Sequence, residues 1–177
     1  MPLTRICLTG PECTGKTALA TRLAALLDTE WVAEASRLYV ERTHASLTAA
    51  DVGPIAREHI SLADAAAARA RARGASLLVL DTDLLSTVVY ARHYYGAAPR
   101  WVEQAERARR ADLYLLCDVD VPWVADGIRD RPTEREAMFA LFARALARRH
   151  ARVIRVSGGW DARWTTARDA VRTLCAR

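Results

Sequence analysis

The sequence predicts an α/β fold in which a five-stranded parallel sheet carries helices on both faces. Three observations lead there. Five short apolar runs alternate with segments of helical period, the pattern that builds a parallel sheet with crossover helices. The first run leads directly into G-x-x-x-x-G-K-T, Gly10 to Thr17, with an apolar helical pattern behind it. The chain has 177 residues, about half of them apolar, enough for one sheet covered on two sides. A single domain over residues 1–177 is therefore expected.

In chain order, Ile6-Cys7-Leu8 reads as a buried strand, and Ala18 to Leu27 as the helix after the glycine turn. Thr29–Glu34 (TEWVAE) reads as a second strand ending in a carboxylate, and Ala35–Thr43 as a helix. Thr48 and Asp51 have the spacing of an N-cap and its N3 partner. Helix is expected from there to Arg73, with a kink near Gly53-Pro54 and a stop at Gly74. Ser76–Leu80 is the clearest buried strand, followed by a helix over Leu84–Tyr95 and another over Trp101–Arg110. Leu113–Cys117 is the fourth strand. Val119–Pro132 reads as irregular and charged, Thr133–His150 as a long amphipathic helix, Val153–Val156 as the fifth strand and Trp164–Cys175 as a closing helix.

The glycine turn has the order strand, loop, helix that a phosphate-binding P-loop requires. Gly10 and Gly15 let the backbone aim N–H groups inward at phosphate oxygens, so that Gly10, Pro11, Glu12, Cys13, Thr14, Gly15, Lys16, Thr17 and Ala18 form the expected nucleotide cradle. Lys16 suits the β- and γ-phosphates, and the Thr17 hydroxyl suits Mg²⁺. Lys16 is also the only lysine in the chain. It stands where a compact point charge fits better than a planar guanidinium.

Composition limits the alternatives. No run approaches the about 18 apolar residues that span a membrane, and the chain enters a strand almost at once, which points to a cytoplasmic protein without a membrane partner. Cys7, Cys13, Cys117 and Cys175 have no C-x-x-C spacing, and Cys7 and Cys117 lie in strand runs as expected buried thiols. The net charge of +5 raises nucleic acid as a partner. The arginine clusters, however, alternate with alanine on helical segments and lack a stacking-aromatic motif, so solvated helix faces are the simpler reading. The oligomeric state stays open, a homo-oligomer included.

In parallel sheets ligands sit beyond the carboxyl ends of the strands. That rule selects Glu34, the pair Asp81 and Asp83, and the pair Asp118 and Asp120. Asp81 resembles a Walker B aspartate holding Mg²⁺ together with Thr17; capping the next helix is the other role its position suits. Asp83, two residues on, faces the acceptor in this reading. Glu34 is placed to take a proton from an attacking hydroxyl or to bind a sugar diol, and equally to pair with Arg37. Arg129 and Arg131 lie in a glycine-bearing segment, about 121–132, which reads either as a lid over the triphosphate or as a salt-bridged loop. Trp31, Tyr39, Tyr94, Tyr95, Trp101 and Trp123 lie near this edge. One or two of them are expected to stack on a planar substrate ring; periodicity does not select which, and Tyr39 and Tyr94 are taken as the substrate contacts. No N-K-x-D motif for guanine is present. A small-molecule kinase fits better than a GTPase switch or a mechanical ATPase.

Four blocks, GPECTGKTALATRLA, WVAEASRLYV, LVLDTDLLSTVVYARHYYG and DVDVPWVADGIRD, occur in an order that resembles the NadR-type P-loop kinase domain. The resemblance implies a P-loop nucleoside-kinase-like fold. It also implies ATP- and Mg²⁺-dependent phosphorylation of nicotinamide riboside at its 5′-hydroxyl, giving nicotinamide mononucleotide. By matching positions, Gly10 to Thr17 would hold ATP, Asp81 and Asp83 would serve Mg²⁺ and acceptor, Glu34 and Arg37 would line the riboside pocket, and Arg129 would act from the lid. The family often carries E-x-x-R-E where this chain has Leu38 after Arg37, and the H-x-G-H motif of the larger regulators is absent. A stand-alone kinase domain is the expectation. A kinase of another nucleoside and a non-catalytic module sensing ATP or an NAD-related ligand are the alternatives.

Overall fold

The computed structural model describes residues 3–122 and 134–175. Its strands are β1 (Thr4–Thr9), β2 (Trp31–Val32), β3 (Leu77–Asp81), β4 (Leu113–Cys117) and β5 (Val153–Val156), all parallel, in the order β2-β3-β1-β4-β5. The helices are α1 (Lys16–Leu26), α2 (Ala35–Thr43), α3 (Val52–Ala72), α4 (Leu84–Tyr95), α5 (Arg100–Ala108), α6 (Arg135–Arg148) and α7 (Trp160–Cys175).

The two-residue period of the strands divides their side chains between two cores. Cys7, Leu78, Leu80, Tyr114 and Leu116 point to the face covered by α3, α4 and α6, where Phe142 and Leu146 pack. Ile6, Leu8, Val79, Leu113, Leu115 and Cys117 point to the other face, against Leu19 and Leu23 of α1 and Val171 of α7. On α3 the contact stripe is Ala63, Ala66, Ala67 and Ala70, small enough to bring the helix close to the sheet. Cys7 and Cys117 are buried thiols, and burial pushes both up from the usual thiol range.

Several elements differ from expectation. The second strand is shorter than Thr29–Glu34, because it is an edge strand bonded only to β3. There the Thr29 hydroxyl reaches Leu77 O at 2.5 Å, and Glu34 leaves the strand to become the N-cap of α2. The kink at Gly53-Pro54 does not occur. Pro54 falls in the first turn of α3, where its missing N–H has no helical acceptor to lose. The Thr48–Asp51 box does form, with Thr48 N–H donating to Asp51 Oδ2 at 2.8 Å. Helix α7 starts one turn early, at Trp160. Helix α6 spans Arg135–Arg148, inside the expected Thr133–His150.

Candidate active site

The phosphate loop joins β1 to α1 at the centre of the sheet. Gly10 has φ 124° and Gly15 φ 79°, positive values that favour glycine. A Cβ on Gly10 would meet the carbonyl oxygen of Cys117 at 2.7 Å, so the loop can pass β4 only as glycine. Inside the turn the Thr14 hydroxyl donates to Pro11 O at 2.9 Å, and Lys16 Nζ donates to the same oxygen at 2.6 Å. The ammonium is thereby folded over its own loop and is only 6% exposed.

Asp81 is the last residue of β3 and is 1% exposed. The Thr17 hydroxyl donates to its Oδ2 at 2.5 Å, so the hydroxyl and carboxylate read as a metal pair lie together at the start of α1. Thr82, next in line, has φ 67°, a strained value for a β-branched residue, and the turn it makes separates the two aspartates. Asp83 goes to the other side, where Oδ1 accepts Leu85 N–H at 2.9 Å and caps α4, and Oδ2 accepts the Tyr114 hydroxyl at 2.7 Å. Burial raises the Asp83 carboxyl to about 6 despite those two hydrogen bonds. Tyr114 is pushed up as well, by burial first and then by the Asp83 charge.

Beside the loop, on the α3–α4 side of the sheet, lies a cavity of about 1130 Å³. Glu12 of the loop, Glu34 and Arg37 of the α2 region, Asp83, and Tyr90 and Tyr94 of α4 are among its walls. Glu34 Oε1 accepts the Ser36 hydroxyl at 2.9 Å, and Arg37 Nε donates to Glu41 at 3.1 Å. Tyr90 and Tyr94 are stacked, their ring centroids 5.9 Å apart and their planes 16° from parallel. Tyr39 departs from expectation. It is not among the lining residues. Its hydroxyl donates to Asp51 Oδ1 at 2.7 Å and Arg42 covers its ring, so it ties α2 to the start of α3. Arg129, Arg131 and Trp123 lie outside the described residues, as does the segment 123–132 of the expected lid.

Two arginines that sequence reasoning passed over hold the loop. Arg163 of α7 is fully buried. It donates to Thr14 O at 3.0 Å, to Asp118 O at 3.0 Å and to Gly158 O at 2.8 Å, and it pairs with the Asp120 carboxylate. Arg135, at the start of α6, donates to Cys13 O and Val121 O, each at 3.1 Å. The strand-end carboxylates Asp118 and Asp120 are accordingly framework groups, engaged by Arg155, Arg163 and Gly158 N–H. The only sequence signal for Arg163 is its nearness to Gly158-Gly159, which is weak.

A family model described as an AAA domain matches residues 5–163. The chain belongs to that AAA-domain family. It is 27% identical over 176 residues to the trifunctional NAD biosynthesis/regulator protein NadR of Escherichia coli (strain K12), covering 96% of this chain and 42% of that protein. The chain therefore spans about two-fifths of the length of the curated relatives it matches. Among solved structures, NadR protein in complex with NR superposes with a TM-score of 0.77 at 25% identity, over 97% of this chain and 51% of that one. Thymidylate kinase from Ehrlichia chaffeensis superposes with a TM-score of 0.67 at 15% identity over 98% of this chain and 100% of the other, a likeness of fold. The resemblance to the NadR-type P-loop domain and the kinase-like fold expected from the sequence both hold. No helix among the described residues is long and apolar enough to cross a membrane.

Proposed function

We propose that this AAA-family domain, residues 1–177 taken as one kinase unit, transfers the γ-phosphoryl group of ATP to the 5′-hydroxyl of nicotinamide riboside. The observation that carries the reading is the cavity of about 1130 Å³ set against the phosphate loop, walled by carboxylates and by the stacked Tyr90–Tyr94 pair. The NadR structure solved with NR supports the choice of riboside over other hydroxylated acceptors.

Lys16 exchanges Pro11 O for phosphate oxygens, and the loop N–H groups hold the β-phosphate. The residues present fit Mg²⁺, which such sites bind through one or two carboxylates plus substrate phosphates. Asp81 and the Thr17 hydroxyl would hold it, and when bound it neutralises charge on the transferring group. Glu34 orients the acceptor hydroxyl and takes its proton. Asp83 is less suited to that task, because its oxygens already cap α4 and anchor Tyr114. Arg37 and Tyr94 contact the riboside, and Arg129 and Arg131 act from the lid segment on the phosphoryl group. The setting is cytoplasmic, without nucleic acid or membrane partners.

The test is a split of kinetic constants. Glu34→Gln should lower kcat by about 100-fold or more while leaving the KM for ATP unchanged. Tyr39→Phe should leave both constants near wild type. Equal loss in the two variants would overturn the assignment of Glu34.

A further inference from the structure

We propose that the indole of Trp160 is the platform for the nucleobase of the phosphoryl donor, an inference that rests on the nucleotide reading above. Trp160 opens α7 and is 55% exposed, among the most exposed large apolar side chains described. It is not placed at random on the surface. Its ring lies against Gly15, so that a Cβ on Gly15 would come within 2.5 Å of Cη2 and Cζ3. One part of the indole covers the last glycine of the phosphate loop, and the remainder faces solvent at the loop's edge.

The direction of transfer selects this side. In phosphoryl transfer the attacking and leaving oxygens lie roughly in line through the phosphorus. The acceptor cavity meets the loop at Glu12, on the sheet face covered by α3 and α4. The leaving diphosphate and its nucleoside therefore run toward the opposite wall, the α1 and α7 side, where Gly15 and Trp160 stand. Farther along the same helix, Trp164 is covered by the Arg22 guanidinium at 4.0 Å, leaving Trp160, among the described residues, as the exposed indole next to the loop. Arg163, between the two tryptophans, is bonded to Thr14 O, which fixes the start of α7 relative to the loop. A planar base stacked on a half-exposed aromatic is a favourable and base-tolerant contact, so the site takes a nucleoside triphosphate by its ring face rather than by edge-reading hydrogen bonds.

The experiment compares calorimetric affinities for Mg²⁺–ATP and for Mg²⁺–tripolyphosphate, which has the phosphates without the nucleoside. Trp160→Ala should weaken ATP binding by about 5- to 150-fold, the size of one base–aromatic stack, and leave tripolyphosphate binding unchanged. Trp160→Phe, which keeps a ring, should retain most of the ATP affinity. Equal weakening of both ligands would make Trp160 a packing residue for Gly15 and overturn the proposal, as would unchanged ATP affinity in Trp160→Ala. Failure of the wild-type protein to bind either ligand, or binding indifferent to Lys16→Ala, overturns the nucleotide reading itself and this inference with it.

Discussion

The Thr17 hydroxyl donates to Asp81 Oδ2 at 2.5 Å, linking residues 64 positions apart across the junction of β1, α1 and β3. This contact places the one hydroxyl of the loop suited to a metal beside the carboxylate that ends the neighbouring strand. Asp81→Asn keeps an oxygen for the Thr17 hydroxyl but removes the charge. Its thermal midpoint should stay near wild type, while phosphoryl transfer falls by about 100-fold or more and requires higher Mg²⁺. A variant with wild-type rate and Mg²⁺ dependence would contradict the metal role.

The two loop glycines should differ in tolerance. On Gly10 a Cβ meets the backbone of β4, at 2.7 Å from Cys117 O, and φ is 124°. On Gly15 the obstacle is the exposed Trp160 ring, which can rotate, and φ is 79°, a left-handed value that alanine adopts at about 1–2 kcal/mol. Gly10→Ala is expected to abolish nucleotide binding measured by calorimetry, and Gly15→Ala to weaken it. The reverse order would show that the loop is not held against β4.

Much of this was legible in the sequence. Helix Leu84–Tyr95 and strands Leu113–Cys117 and Val153–Val156 match their expected bounds, because each is a clean periodic or apolar segment between breakers. The loop and Asp81 were legible because local order dictates their placement. Tyr39 was not: helical spacing groups it with Leu38 and Arg42 but does not say which side of α2 meets the cavity. Arg163 was still less so. An arginine in an amphipathic helix reads as solvated, and its burial depends on Thr14, Asp118 and Gly158 converging from distant parts of the chain.

Stability away from the site should depend on Glu106 of α5. Its buried carboxylate accepts Arg149 Nε at 2.6 Å and Nη2 at 2.9 Å. Glu106→Ala strands the guanidinium, at a cost of about 3–5 kcal/mol, and should lower the thermal midpoint by roughly 10 °C with kcat unchanged for the folded fraction. Glu106→Leu combined with Arg149→Met should recover most of that loss. A single variant as stable as wild type would contradict a structural role for the pair.

Two buried groups oppose each other in acid. Burial lowers His59 to about 4, with Arg109 and Arg5 adding to the effect and Asp64 opposing it. An unfolded histidine titrates near about 6.5. Between those values the unfolded chain takes up a proton that the folded chain refuses, so stability falls as pH falls. Asp83, raised by burial to about 6, acts with the opposite sign. Between about 4 and 6 the folded chain keeps a proton that the unfolded chain releases, and stability falls as pH rises. The two contributions oppose each other over an overlapping pH range. In urea unfolding, His59→Gln should gain stability relative to wild type as pH drops from about 6.5 to 4, and Asp83→Asn should gain as pH rises from about 4 to 6. Differences independent of pH would contradict these assignments.

The most direct measurement is ADP release with ATP and Mg²⁺ in the presence of nicotinamide riboside, against uridine, cytidine, adenosine and thymidine. Product mass is determined in each case, with Lys16→Ala as the blank. The account predicts riboside-dependent ADP and a product of the mass of nicotinamide mononucleotide, both lost in Lys16→Ala. Turnover with another nucleoside only, or ATP binding without acceptor-dependent ADP, would contradict it.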